Sequence, residues 1–383
     1  MVKKTTTTFS RNIVNKIKDD LKHKMVFIGG PRQVGKTTLS KMLTTKKYLY
    51  LSWDNLEDRK LILNFSFSKD VPVIIFDEIH KYKLWRTLLK GLFDKYRDEM
   101  QIIVTGSARL DYFRKGGDSL LGRYHYHRLH PFTLPELKTC TKINNPIEAL
   151  LTFGGFPEPL FSQDHKVHRR WLLERQAKII KEDLTDISTV KDISIIELLA
   201  EILPTKVGSL FSNKSIQEDL SVSSITIDRW VTILENLYFC YRIYPYGINR
   251  IKAVKKMPKL YMWDWSAVTN TGPRFENFVA GHLLKFCHQT EDQLGHKMHL
   301  HFLKDNDGQK ELDFVIVKDK KPLFAVECKT GESSLSPHLA YFQKHLKIPK
   351  VYQVHLGTKD YGSETSGGRV LSFKHFCQLE NLV

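Results

Sequence analysis

Short apolar runs ending in glycine or acidic residues mark the first third of the chain. "MVFI" from Met25, "KYLYLSW" from Lys47, "VPVIIF" from Val71 and "QIIVT" from Gln101 read as strands, with helix-forming stretches between them. Strands of this kind alternating with helices predict a mostly parallel sheet in an α/β unit. The period then changes. "HRRWLLERQAKIIKEDLTDIS", from His168, carries apolar residues at helical spacing and predicts a long amphipathic helix. From about residue 192 to 246 come several short helices and a hairpin. The last third reads as a helix at "GPRFENFVAGHLLKF", two strands in "ELDFVIVKDKKPLFAVECKT", a helix at "SSLSPHLAYFQKHL" and a strand at "KVYQVHLG".

The first run carries chemistry. "MVFI" leads into Gly30-Pro31-Arg32-Gln33-Val34-Gly35-Lys36-Thr37 and then into helix formers beginning with Thr38, the GxxxxGK[ST] spacing in a strand–loop–helix setting. Glycines let backbone N–H groups curl around phosphate oxygens, and the helix N-terminus adds positive potential. Lys36 reaches the terminal phosphates and the Thr37 hydroxyl can ligate Mg²⁺. The stretch Gly30 to Thr38 is therefore the candidate ATP-binding loop.

The second strand half matches. "VPVIIFDEIH" ends in Asp77-Glu78: Asp77 is placed to hold Mg²⁺ and Glu78 to polarise the attacking water. "KYLYLSWDN" supplies an extra strand between the two motifs, a feature of P-loop ATPases with a catalytic glutamate. At the end of "QIIVTGSAR", Thr105 or Ser107 offers a hydroxyl that can sense the terminal phosphate, or simply forms a strand-end turn. Arg123, just before the next strand, reads either as a charge-neutralising finger in its own or a neighbouring subunit, or as a surface arginine. Of His125, His127 and His130, alternation puts the first two on one strand face, but no acid or cysteine joins them, and they read as core or surface strand histidines rather than metal ligands.

"GGPRQVGKTTL", "VIIFDEIHKYKLW", "IIVTGSARLDYFRKGGDSLLGR", "HPFTLPEL" and "FGGFPEPL" together resemble a large prokaryotic group of AAA-type ATPases with a C-terminal region of unknown function. The resemblance implies a helical lid beside the nucleotide in the region of the long helix.

"SIQEDLSVSSITIDRWVTILENLYFCYRIYPYG" has the element order of a winged helix-turn-helix, with Ser223 or Ser224 as cap and Ile227, Trp230, Ile233, Leu234 and Leu237 as buried stripe. The residues a DNA reader would present are Thr226, Asp228 and Arg229. Only Arg229 is basic, so protein packing competes with DNA reading as the role. The run "NRIKAVKKMPK" (Arg250, Lys252, Lys255, Lys256, Lys259) reads as a phosphate-backbone track or a solvated loop.

Acid-x-Lys pairs are scattered along the chain, but Glu327-Cys328-Lys329 alone has a second acid facing it across a hairpin. If the turn is centred near Asp319 and Lys320, Asp313 falls opposite Glu327 or one residue away, and Lys329 shares the face of Glu327. Glu276 sits near the start of the preceding helix. This order resembles the restriction-endonuclease-like PD-(D/E)xK nucleases, with Glu276 matching the helix acid, Asp313 the first strand acid, and Glu327 and Lys329 the terminal pair. Leu312 stands where that family has proline. The resemblance implies Mg²⁺ or Mn²⁺ at Asp313 and Glu327, completed by the Cys328 carbonyl, with Lys329 orienting the nucleophile.

Composition sharpens the partner class. Among 383 residues, 59 Lys+Arg against 42 Asp+Glu give +17, which favours a polyanion, DNA or RNA first. Five dispersed cysteines exclude a zinc or disulfide framework. The polar N-terminus and the lack of a run of about 20 apolar residues predict a cytoplasmic protein without membrane contact. The expectation is a P-loop NTPase (AAA-like) domain at 1–135, a helical lid and winged helix at 136–262, and an α/β nuclease-like domain at 263–383. The predicted activity is an ATPase on nucleic acid, forming a homo-oligomer if Arg123 acts across subunits, with metal-dependent cleavage. The alternative is an ATP-dependent switch or adaptor with an inactive nuclease-like domain.

Overall fold

Five apolar strands build the first sheet: β1 (Met25–Gly29), β2 (Tyr48–Ser52), β3 (Val73–Asp77), β4 (Gln101–Thr105) and β5 (Tyr124–Arg128). The computed structural model describes residues 11–44, 47–64, 71–106, 120–138, 140, 142–184, 192–247, 257–305, 307–363 and 367–382. All neighbouring strands are parallel, in the order β2-β3-β4-β1-β5. Every residue of β1 is buried, as a central strand covered on both faces requires. Helices α1 (Val14–Asp20), α2 (Lys36–Met42), α3 (Leu56–Leu63) and α4 (Trp85–Tyr96) accompany the sheet. Trp85, Leu88, Leu89 and Leu92 recur at helical spacing on α4 and join Phe27, Ile74, Phe76, Ile102 and Val104 in one core.

The sheet order refines one expectation. The strand from "KYLYLSWDN" exists as β2, but it lies at the sheet edge. The strand standing between the P-loop strand and the Asp77 strand is β4, which brings Thr105 beside Asp77.

The chain divides into two units: 1–132 with 136–146, and 133–135 with 147–383. The second begins with helices α5 (Pro146–Phe153), α6 (Pro157–Ser162), α7 (His165–Lys178) and α8 (Ile193–Ile202). Helix α9 (Asn213–Leu220) turns into α10 (Ser224–Asn236), where the Ser223 side chain accepts from the Thr226 N–H. The antiparallel pair β6 (Cys240–Ile243) and β7 (Lys259–Met262) follows.

Helix α11 (Thr271–Leu294) leads into a six-stranded sheet in the order β12-β13-β11-β10-β9-β8. Its strands are β8 (Met298–Lys304), β9 (Glu311–Lys318), β10 (Lys321–Lys329), β11 (Val351–His355), β12 (Tyr361–Ser363) and β13 (Gly368–Ser372), with helices α12 (Pro337–Leu346) and α13 (Phe373–Leu379). The β9–β10 hairpin turns through Asp319 and Lys320, both at positive φ.

The sequence reading separates 136–262 from 263–383, whereas both lie in one unit here apart from 136–146. Side-chain contacts explain why. Asn277 on α11 accepts from the Met262 N–H at 2.8 Å and donates to its carbonyl at 2.9 Å, so α11 satisfies the edge of β7.

Candidate nucleotide site and carboxylate cluster

In the first unit, the carboxyl ends of β1, β3 and β4 gather the predicted nucleotide residues. Gly30 and Gly35 take φ of 137° and 97°, and a Cβ on Gly30 would meet the Leu129 carbonyl at 2.3 Å. Only glycine fits there. Buried Val34 anchors the loop, while Gln33 and Thr38 are exposed and Arg32 is half-buried. Lys36 Nζ donates to the carbonyls of Gly30 at 2.9 Å and Pro31 at 2.6 Å, so the loop closes around its own lysine.

Asp77 ends β3 within reach of three hydroxyls. Thr37 donates to its Oδ2 at 3.2 Å, Tyr50 on β2 bonds the same oxygen, and Thr105 on β4 donates to Oδ1. A threonine hydroxyl beside a carboxylate is the hard-oxygen donor set that suits Mg²⁺. Glu78 follows in the left-handed region (φ 55°), its N–H bonded to the Thr105 carbonyl at 2.9 Å. A non-glycine residue held there costs about 1–3 kcal/mol, a strain that clusters at functional positions. Burial pushes the Glu78 carboxyl above the ordinary carboxylate value, against the pull of Lys36 and Lys81. His80 Nε2 lies 3.4 Å from its Oε2.

Arg123 is not brought to this edge. It precedes β5, its carbonyl accepting from the Met25 N–H at the start of β1. The loop lies beyond the other end of that five-residue strand, about 16 Å away at 3.3 Å per residue. There Arg123 binds Asp94 through two hydrogen bonds of 2.7 and 3.0 Å. In this structure Arg123 therefore does not face its own P-loop. Ser107 lies outside the described residues, and the hydroxyl that the end of β4 brings to Asp77 is that of Thr105. His127 and Asp20 share a buried hydrogen bond of 2.8 Å in the core.

In the second unit, the C-terminal acids do converge. Val326 pairs with Phe314, which sets Glu327 beside Asp313 on the adjoining positions of the hairpin. The Cys328 N–H donates to Asp313 Oδ2 at 2.8 Å, and Lys329 Nζ reaches Glu327 Oε1 at 2.8 Å. Glu276 receives the Tyr261 hydroxyl at 2.7 Å. A Cβ on Gly208 (φ 77°) would stand 2.9 Å from Glu276 Oε2. Burial raises the pKa of both Glu276 and Glu327, with the charge of Asp313 adding to it.

Two members of the cluster are not among the sequence candidates, Glu311 and Lys259. Lys259 Nζ lies 2.7 Å from Glu311 Oε1, 3.3 Å from Glu276 Oε1 and 3.4 Å from Asp313 Oδ1. Its side chain is 2% exposed. This corrects the reading of Lys259 as part of a phosphate track; the other four basic residues of that run lie outside the described residues. Burial works against the Lys259 charge, but Glu276, Asp313 and Glu311 outweigh it and hold its pKa above lysine's ordinary value. One sequence signal was available: a lysine opening the apolar strand "KLYMW" needs acids if it is buried.

The cluster as arranged does not fit the divalent ion expected at Asp313 and Glu327. Magnesium needs oxygens at about 2.0–2.1 Å around one point, and an ammonium lies among these carboxylates instead. Among the described residues no group of three or more His, Cys, Asp or Glu is spaced to hold a metal.

Asp228, the acid at the start of α10, pairs with Arg242 Nη1 from β6, whose Nη2 binds Glu235 at 2.7 Å. That arginine is consumed within the fold.

Comparison with known families agrees with the first edge. Residues 22–138 match a family model described as an AAA domain. This stretch is similar to AAA domains. Beyond it, residues 144–271 and 271–376 match two domains of unknown function, DUF8612 and DUF4143. Two uncharacterised proteins of Methanocaldococcus jannaschii are similar along most of the chain. One is 23% identical over 84% of this chain and 78% of its own length; the other is 24% identical over 89% and 83%. Among solved structures, a RuvB variant of Thermotoga maritima superposes with TM-score 0.34 at 17% identity, covering 60% of this chain and 88% of that one. The signal-transduction ATPase PH0952 of Pyrococcus horikoshii gives TM-score 0.30 at 14% identity, covering 74% and 48%. No helix among the described residues is long and apolar enough to cross a membrane.

Proposed function

We propose that the AAA-type domain binds ATP with Mg²⁺ and hydrolyses it. The carrying observation is the convergence of Lys36, Thr37, Asp77 and Glu78 at the carboxyl edge of the central strands. Lys36, cradled by the Gly30 and Pro31 carbonyls, is the residue that would meet the terminal phosphates. Thr37 and Asp77 are the residues that would hold the ion. Bound there, Mg²⁺ supplies charge neutralisation at the phosphate oxygens. Thr105 and Tyr50 fix the Asp77 carboxylate. Glu78, one residue on and raised in pKa, orients the attacking water and accepts its proton. Lys36→Ala is expected to abolish ATP binding in equilibrium titration, and unchanged affinity would overturn the reading.

The partner we infer is nucleic acid, DNA or RNA, on the strength of the +17 charge. We read α9, α10 and the β6–β7 pair as a winged helix used for packing, because Arg242 neutralises Asp228 and binds Glu235 on α10 itself. The C-terminal sheet with Glu276, Asp313, Glu327 and Lys329 supports a nuclease-like fold. The ammonium among its acids favours the adaptor reading over cleavage, with nucleotide state as the switch. ATP turnover measured with and without single- and double-stranded DNA and RNA tests the partner. Stimulation by one of them is expected, and indifference to all four removes nucleic acid from the reading. Arg123, remote from its own P-loop, is available to a neighbouring subunit only by releasing Asp94.

A further inference from the structure

We propose that Lys259 is the resident cation of the carboxylate cluster and keeps divalent metal out of it. The inference rests on the nuclease-like, adaptor reading of the second unit, and the ATPase reading stands or falls separately.

A lysine ammonium has three N–H donors and no acceptor. Around Lys259 Nζ stand three carboxylate oxygens, from Glu311, Glu276 and Asp313, at 2.7, 3.3 and 3.4 Å. Three donors meet three acceptors, two from β9 and one from α11. The remaining acid of the group, Glu327, has its own ammonium in Lys329 at 2.8 Å, and Glu311 has a second in Lys304 at 3.2 Å. The other donors at the site are also fixed: the Tyr261 hydroxyl on Glu276 and the Cys328 N–H on Asp313 Oδ2. A divalent ion entering here would meet oxygens already engaged by N–H and O–H groups. It would also face a unit positive charge at close range.

Lys259 is poorly placed to leave. Its backbone opens β7, opposite Ile243 in the β6–β7 pair and bridged to Leu210. Immediately before it, the Pro258 carbonyl accepts from the Phe211 N–H at 2.7 Å. Its ammonium lies 5.7 Å from the centroid of the Phe302 ring. Gly208 closes over Glu276 with no room for a side chain. Swinging the ammonium out would leave Glu276 and Asp313 facing each other without a shared cation, a costly arrangement for buried acids.

The test counts bound Mn²⁺ on the full chain, without nucleotide, from the paramagnetic resonance of free Mn²⁺. Wild type, Asp313→Asn, Lys259→Met and Lys259→Met/Asp313→Asn are compared, so that weak binding elsewhere cancels. Wild type and Asp313→Asn are expected to bind equal amounts. Lys259→Met is expected to gain one Mn²⁺ per chain, lost again in the double variant. One Mn²⁺ more on wild type than on Asp313→Asn overturns the proposal, as does a folded Lys259→Met that gains none. Should Lys259→Met fail to fold, the wild-type and Asp313→Asn pair decides alone. Nuclease assays on wild type separate the outcomes: cleavage with no Mn²⁺ at the cluster ends the adaptor reading and leaves the role of Lys259 intact.

Discussion

The nucleotide edge of the first unit and the carboxylate cluster of the second are built from the same parts. Each gathers acids at strand ends around a buried lysine. They differ in what holds the lysine. Lys36 rests on the neutral carbonyls of Gly30 and Pro31, which orient the ammonium without cancelling its charge. Lys259 rests on three acids of its own chain, Glu276, Glu311 and Asp313. In the proposed reading the first lysine serves an anionic ligand. The second has its anions within the chain. Motif chemistry therefore depends less on which residues are present than on which of them answer one another's charge.

The sharpest way to test the first half of the comparison is Glu78→Gln. Loss of a positioned general base is expected to lower ATP turnover by about 10²–10⁴-fold. ATP affinity should hold, since Lys36 and Thr37, proposed to hold the phosphates and the ion, are unchanged. Turnover within a few-fold of wild type would remove Glu78 from the catalytic role. A second prediction bears on the cluster. Removing one partner of a buried ion group typically costs about 3–5 kcal/mol. Lys259→Met should therefore lower the stability of the second unit by that order in denaturant unfolding without added metal. Exposed Lys344→Met serves as a control for loss of charge alone. A cost no greater than the control would mean that the cluster does not depend on its ammonium.

The smallest expected effect is a pH slope. Burial, then the charge of Asp313, raises Glu276 and Glu327 above the ordinary carboxylate value near 4.3. The folded state thus keeps protons that the unfolded chain releases. The resulting stabilisation is complete below the unfolded value and is lost as pH rises through the raised folded values. Replacing Glu276 by Gln removes one such group. Relative to wild type, Glu276→Gln should gain stability as pH rises from about 4.3 to neutrality. A difference between the two melting curves that stays constant with pH would contradict this assignment.

Much of the first unit was legible because its signals are contiguous. The P-loop lies within Gly30 to Thr37, and its strand and helix adjoin it. Asp77-Glu78 closes an apolar strand and is recognisable alone. What could not be read was which strand stands beside which. Strand β2 follows the P-loop in the chain yet lies at the edge, and β4, later in sequence, sets Thr105 beside Asp77. The same limit explains Arg123. Its place before a strand is plain in the sequence, but parallel pairing of β5 with β1 puts that place at the end remote from the loop.

In the second unit, spacing across the β9–β10 hairpin was enough to bring Asp313 toward Glu327. It could not reveal Lys259, which lies 17 residues before Glu276 and 54 before Asp313. By itself the sequence determined the phosphate loop, the strand-end acids and the hairpin pair, because each depends on local geometry: strand alternation, glycine's access to positive φ, a turn between two strands. Only the tertiary structure decided the charge state of the cluster. Burial strips water from the ions, and they must then be balanced by whatever opposite charge the fold brings within about 3 Å, at any distance along the chain.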